Sequence, residues 1–415
     1  MANEQLQYTG QLKIEVISTI AYIPIDNATV TIAATETPED IIYRLGVNSS
    51  GETEIISLNT PPESYSEEFV EDRKPYAEYN VEVQAMNYEP VMVTGVEVFA
   101  DRTAILRVRM KPRDMTDQPE QIIPIPPHTL YYEYPPKIPE AEIKPMAETG
   151  EIVLSKVVIP EYIIVHDGDP NDDSAPNYWV RYKDYIKNVA SCEIYTTWPE
   201  ATLYANILVI MSFTLNRVYT EWYRNRGKNF TITSSTAYDQ KFVYGRNIFE
   251  NIDRLVDNVF ANYLSRPGVR QPIFTSYCDG KRVTCKGLSQ WGSKYLGDEG
   301  YSAIEIIRYY YGNDMYINTA ELISGVPSSY PGYDLTIGSS GEKVRQMQNQ
   351  LNRISRNYPA IPTIGVDGIY GPATAGAVSK FQEIFDLPVT GIVDYATWYE
   401  ISDIYVGVTR ISEPG

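Results

Sequence analysis

Asp184-Tyr-Ile-Lys-Asn-Val-Ala-Ser-Cys-Glu-Ile-Tyr-Thr-Thr-Trp-Pro-Glu200 is the stretch from which the fold can be read. Tyr185, Ile186, Val189 and Ala190 recur at the spacing of a core-facing helix, and Thr197-Trp198-Pro199 stops it. Glu193 falls near its last turn, beside Tyr195 and Trp198. A carboxyl at the edge of an aromatic surface is partly desolvated, which raises its pKa and favours the neutral form a general acid needs. Pro199-Glu200 opens a second helix, residues 201–215 and on to about 223, which is apolar almost all round through Phe213. Such a helix is expected to be the buried centre of an α+β domain.

Outward from this centre, Val189-Ala-Ser-Cys-Glu193, Trp198-Pro199-Glu200 and the Ala205-Asn206 helix are followed by Gly287-Leu-Ser-Gln-Trp-Gly-Ser293. Gly300-Tyr301 and Glu305-Ile-Ile-Arg-Tyr-Tyr-Tyr-Gly312 come next. In this order the motifs resemble the sporulation stage-II protein D family, which includes amidase-enhancer proteins. The resemblance covers residues 159–316. It implies a lytic transglycosylase acting on peptidoglycan glycan strands, with Glu193 as the single acid/base. One carboxyl can serve where ordinary glycosidases need two, because the muramic C6 hydroxyl displaces the glycosidic oxygen and closes a 1,6-anhydro ring. The resemblance further places Ser235, Asp239 and Gln240 in the substrate cleft, with Tyr195 and Trp198 beside the acid. Ser289 and Gln290 would offer hydrogen bonds to sugar hydroxyl or acetamido groups, and Trp291 would stack on a pyranose. The sequence departs from the family at Met211-Ser212-Phe213, where Arg-Thr-Tyr is usual, and at Thr284-Cys285, where His-Gly is usual.

A net charge of −19 disfavours nucleic acid and anionic membranes as partners. The 35 tyrosines suit sugar stacking or rigid β-surfaces. Cys278 and Cys285 flank an Asp279-Gly280 turn, where a hairpin could close a disulfide; free thiols or a metal site are the alternatives. Zinc-binding family members use Cys and His, but His128 and His166 lie outside the corresponding segment. No metal and no cofactor is expected. The first residues lack the basic and apolar regions of a Sec signal. No run of eighteen apolar residues suggests a membrane span. The expected location is the cell wall, spore envelope or extracellular space, reached by another route.

Residues 9–112 carry seven alternating stretches, 10–18, 27–32, 41–45, 53–58, 79–85, 92–99 and 102–110, which predict an all-β antiparallel sandwich. Pro24-Ile-Asp-Asn-Ala-Thr-Val30, Ser50-Gly51 and Tyr79-Asn-Val81 resemble the transthyretin-like domain found beside carboxypeptidases. Residues 113–149, with Pro119, Pro124, Pro126-Pro127, Pro135-Pro136, Pro139 and Pro145, read as a semi-rigid extended spacer, Tyr131–Tyr134 docking it on a neighbour or, second, contacting sugar.

The central domain is expected over 150–322, with strands at 152–156, 162–166 and 271–277 and a helix over 248–264. Residues 167–173 read as a solvated acidic loop or, second, a cation or substrate contact; they lack EF-hand spacing. Beyond a linker at 324–334, Leu335-Thr-Ile-Gly-Ser-Ser-Gly-Glu-Lys-Val, Val366-Asp-Gly-Ile-Tyr-Gly-Pro-Ala-Thr374 and Gly391-Ile-Val-Asp394 resemble the type 1 peptidoglycan-binding domain. That resemblance implies a three-helix unit over 333–405 that binds wall glycan or stem peptide, with Asp367, Tyr370 and Thr374 in contact. The reading is a multidomain, peptidoglycan-targeted lytic transglycosylase. The alternative is an inactive peptidoglycan-binding scaffold, or a structural component of a spore surface, appendage or phage-tail-like particle.

Overall fold

Leu12, Ile14 and Val16 alternate with Lys13 and Glu15, and in β1 (Tyr8–Ser18) the three apolar side chains are fully buried. The computed structural model describes residues 8–20, 22–113, 121–144, 156–320, 322–324 and 330–409. Pro119, Pro145, all but the last residue of the expected strand 152–156 and part of the 324–334 linker lie outside them. The same period-two pattern forms β2 (Thr29–Ala34), β3 (Ile41–Gly46), β4 (Ile56–Thr60), β5 (Ala77–Gln84), β6 (Val91–Val98) and β7 (Thr103–Met110). An additional strand, β8 (Gln121–Pro124), comes from the proline-rich segment.

One sheet runs β3-β2-β5-β6-β8; the other contains β7-β1-β4. The sheets are mixed, not antiparallel as expected. β1 and β7 pair in parallel from Gln11↔Thr103 to Ser18↔Met110, and β6 pairs in parallel with β8. No hairpin joins either pair, so turn geometry does not dictate their relative direction.

The proline-rich segment is a strap, not a spacer. β8 sews its start to β6, and Ile138 N–H donates to Ala237 O at 2.7 Å. Arg217 holds Glu140 through two bonds, Nη1 to Oε2 at 2.8 Å and Nη2 to Oε1 at 2.6 Å. Phe274 N–H donates to Glu142 O at 2.9 Å. Extended proline backbone leaves its polar groups open to partners, and the central unit supplies them.

That unit comprises β9 (Val158–Ile159), β10 (Tyr162–His166), β11 (Asn177–Arg181), α1 (Tyr182–Glu193), α2 (Glu200–Tyr219), β12 (Ile232–Thr233), β13 (Ile248–Phe249), α3 (Glu250–Val259), β14 (Asn262–Ser265), β15 (Tyr277–Cys278), β16 (Leu288–Ser289), α4 (Gln290–Asp298), α5 (Ala303–Tyr311), β17 (Tyr316–Thr319) and β18 (Leu322–Ile323). α2 has the length and composition of a membrane-crossing helix, yet 89% of that window is buried within the protein. α3 is shorter than the expected 248–264 helix. Its flanks are strands: Ile248 and Phe249 extend the β7-β1-β4 sheet at its β7 edge, and Asn262–Ser265 pairs with β17. The expected strand at 271–277 is reduced to Tyr277-Cys278, which pairs in parallel with β16, so the cysteine loop is not a hairpin. Within 167–173, Asp169 and Asp172 accept the Asn171 and Ser174 N–H groups, closing two turns.

The last unit packs α6 (Glu342–Ile354), α7 (Pro372–Ile384) and α8 (Tyr395–Thr409). Two glutamines organise it alike. Gln348 Oε1 accepts Gly368 N–H while Nε2 donates to Ile369 O and Thr374 Oγ1. Gln382 Oε1 accepts Gly391 N–H while Nε2 donates to Ile392 O and Thr397 Oγ1. Gly368 and Gly391 sit at φ +76° and +67°, where a side chain would be strained.

Buried charges dock this unit on the other two. Lys13 Nζ lies 2.9 Å from Asp386 and 2.7 Å from Glu52; Lys183 pairs with Glu400 and, at 3.0 Å, Asp403. Such pairs fix orientation more than they add net stability. Burial and the neighbouring Glu15 carboxylate push the Asp386 carboxyl up to about 8, with Lys13 opposing. Glu15 is raised by its own burial, but Arg107 and Lys13 outweigh this and hold it at about 2, so it stays ionised. The folded protein therefore keeps on Asp386 a proton that the unfolded chain sheds near pH ~4, and stability falls as pH rises from there to about 8. A thermal-melt series across this window should show the midpoint declining with pH. In Asp386→Asn the decline should be smaller; an unchanged slope would refute the assignment.

Candidate functional site

α1 carries Glu193 at its C-terminus, where the chain turns extended at Ile194. The last carbonyls of a helix need outside donors, and distant segments supply them. Thr129 of the strap donates Oγ1 to Cys192 O at 2.9 Å, and Gln290 Nε2 donates to Glu193 O at 3.0 Å. The acid is thus held by the strap and by the start of α4.

The Glu193 side chain is buried, and Oε1 accepts the Lys241 N–H at 2.7 Å. Oε2 is buried, and beyond the neighbouring Tyr277 hydroxyl no donor among the described residues bonds it. Burial pushes the Glu193 carboxyl above its ordinary range; Lys137, Tyr277 and the Lys241 amide pull the other way without cancelling it. Among the described residues no Lys, Arg or His makes an ion pair with it. Burial, and then the Glu193 charge, raise the Tyr277 phenol well above its usual value.

Glu193 lines a cleft of about 480 Å³ with Tyr132, Tyr134 and Lys137 from the strap, Thr236, Tyr277 and Gln290. Lys137 Nζ stands 4.6 Å from the Tyr277 ring centre and donates to Asp239 O. Its pKa is lowered by burial, against the opposing charges of Glu193 and Asp239. A protonated Glu193 facing this cleft can donate to a leaving oxygen, and the resulting carboxylate can take a proton back. A nearby ammonium would stabilise that carboxylate.

Of the residues expected around the acid, only Gln290 lines the cleft. Tyr195, Trp198 and Trp291 lie away from it, each at most 3% exposed. They form an aromatic cluster, Trp198 and Trp291 centroids lying 5.1 Å apart and Tyr195 and Trp291 6.0 Å. Trp198 Nε1 donates to Ser66 O at 3.0 Å, so this surface is covered by the N-terminal unit rather than by sugar. Asp239 is fully buried; Oδ1 accepts Arg217 Nε at 2.7 Å, and Oδ2 accepts Tyr223 Oη and both Thr233 donors. Gln240 is fully buried and accepts from Tyr185 and Thr214 hydroxyls. Ser235 contributes a backbone carbonyl to the turn that holds Asp239. Ser289 caps α4, its Oγ accepting Gly292 N–H at 2.9 Å.

In the C-terminal unit, Tyr370 and Thr374 are buried, and their hydroxyls serve the fold: Tyr370 donates to Gly391 O and Thr374 accepts from Gln348. Asp367 is exposed, and its carboxylate accepts Ile369 N–H at 2.9 Å.

Cys278 and Cys285 form a disulfide, and Cys278 lines the cleft. Cross-linking residues only 7 apart restricts the unfolded chain modestly, by about 2–3 kcal/mol. Cys278→Ser/Cys285→Ser should lower the denaturation midpoint by a corresponding amount in urea titration. An unchanged midpoint would show that the bridge contributes no stability. Among the described residues no cluster of His, Cys, Asp and Glu is placed to hold a metal ion.

Of the strap residues of the cleft, Lys137 escapes the sequence reading, because proline density signals an extended chain without naming what it lies on. The nearest available signal is Tyr131–Tyr134, aromatic residues in an otherwise solvated composition.

Comparison with known proteins bears mainly on the C-terminal unit. Residues 340–401 match the peptidoglycan binding domain family. A zinc D-Ala-D-Ala carboxypeptidase of Streptomyces albus G is 41% identical over 68 residues, which is 16% of this chain. The chain spans a quarter of the length of that relative, 25%. Among solved structures, the SleB N-terminal domain is 33% identical over 18% of this chain and 93% of its own, with a TM-score of 0.16. Catechol 1,2-dioxygenase from Acinetobacter sp. ADP1 is 10% identical over 30% of this chain and 60% of its own, with a TM-score of 0.19.

Proposed function

We propose that this chain, whose C-terminal unit matches a peptidoglycan-binding domain, is directed to the cell wall or spore envelope and cleaves glycan strands as a lytic transglycosylase. On this reading residues 9–112 are a transthyretin-like sandwich, residues 150–322 a stage-II-protein-D-like catalytic domain, and residues 333–405 the wall anchor. The observation that carries it is Glu193: a buried carboxyl with a raised pKa at a cleft, one oxygen held by an amide and the other beside the Tyr277 hydroxyl. The proton moves from Glu193 to the glycosidic oxygen as the C1–O bond breaks. The C6 hydroxyl closes on C1, and its proton returns to the carboxylate. Glu193 ends the cycle as it began, and no water is consumed.

Digestion of purified glycan strands tests this. The expected products are 1,6-anhydro-muramyl fragments, seen by chromatography and mass; reducing-end products or none would overturn it. The departure at Met211 and Phe213, both buried in the core, favours a second reading, an inactive peptidoglycan-binding scaffold. Retention on insoluble peptidoglycan without release of fragments would identify it.

A further inference from the structure

A second groove runs along the seam where β7 meets the central unit, outside the Glu193 cleft. One part is lined by Arg107, Arg109, Asp184, Trp179, Phe242 and Tyr244, among others. Through Phe242 and Tyr244 it continues into a channel bordered by Lys111 and Lys241. Seams between units are where ligand sites concentrate.

Two features point to a ligand class. Trp179 is 44% exposed on β11, and Tyr244, stacked on Tyr178 with ring centres 4.4 Å apart, lines the same groove; aromatic rings of this kind suit sugar faces. Cations also concentrate here in a protein that carries 54 acidic against 35 basic residues. Arg107 and Arg109 are about a third exposed, 31% and 32%, and their guanidinia lie 3.8 and 3.6 Å from Asp184, beyond hydrogen-bond reach. Arg107 Nε is bound to the Glu15 carboxylate at 2.9 Å, with Asp253 3.6 Å from its Nη2, and Arg109 Nη2 is bound to Tyr22 at 2.8 Å, which orients both forks. Lys187 and Arg246, deeper in the wall, are neutralised by Asp253, Asp257 and Glu97.

We propose that this groove is a second glycan site that takes a carboxylate-bearing strand, sugar faces on Trp179 and Tyr244 and carboxylates at the Arg107–Arg109 pair. It rests on the peptidoglycan reading, since lactyl and stem-peptide carboxylates are what that polymer would offer.

Hydroxyl-radical footprinting of full-length Glu193→Gln protein, used to prevent turnover, tests it. The probe is a soluble tetrasaccharide of alternating N-acetylglucosamine and N-acetylmuramic acid. It should protect Trp179, with half-saturation moving up about tenfold in Arg109→Gln. An uncharged N-acetylglucosamine tetramer should need a similarly higher concentration. No protection of Trp179 at saturation, or equal protection by the neutral tetramer, overturns the proposal. The same proteins are tested for retention on insoluble peptidoglycan. Retention with Trp179 unprotected removes the groove and leaves the wall-targeting reading standing, whereas loss of retention by every protein removes that reading itself.

Discussion

Glu193→Gln should reduce the release of anhydro-muramyl fragments by about 10²–10⁴-fold, the usual contribution of a positioned acid/base group. The amide matches the carboxyl in shape and can still accept the Lys241 N–H through its oxygen, so folding and wall binding should survive. What disappears is the proton. The pH profile offers an independent check. A carboxyl with a raised pKa is competent while protonated, so the rate should hold at low pH and fall as pH rises through that pKa. Undiminished release by Glu193→Gln would exclude the residue from the chemistry.

Arg217→Met should have the largest effect on stability. The guanidinium has no exposed surface and joins Glu140 of the strap to Asp239 of the central unit. Removing it leaves Asp239 without its cation in a site that water does not reach, and Glu140 with Lys144 alone. Breaking a buried pair in this way costs about 3–5 kcal/mol, more than a cavity alone would. Because the bond to Glu140 pins the strap, the same change should free the segment that carries Lys137 into the cleft. Chemical denaturation should report the loss of stability, and limited proteolysis should show new cleavage within 131–144. A variant with wild-type stability and an intact strap would show that the network is not what holds it.

These two residues illustrate what the sequence allows to be read. Periodicity places α1 and α2 and locates Glu193 at a helix end, because the apolar spacing is local. The seven expected strands also appear, since alternation within one strand records which face is buried. The readings that fail depend on partners far along the chain. Trp198 and Trp291 look like sugar platforms until Ser66 and Phe69 are found covering them. Asp239 looks like a cleft residue until Arg217 is found on it. Tyr370 and Thr374 look like ligand contacts, but their hydroxyls are spent inside the two similar glutamine-centred turns. A polar side chain in a sequence gives no sign of whether its partner is a ligand or another residue of the same chain.

The buried bonds from Lys13 and Lys183 to Asp386, Glu400 and Asp403 have one more consequence. A wall anchor on a loose leash would let a cutting site graze over any strand within its radius. One clamped through buried charges instead behaves as a ruler, presenting the polymer at a set offset and angle from the point of grip. On the proposed function, where such a molecule takes hold would then decide which linkage it can reach.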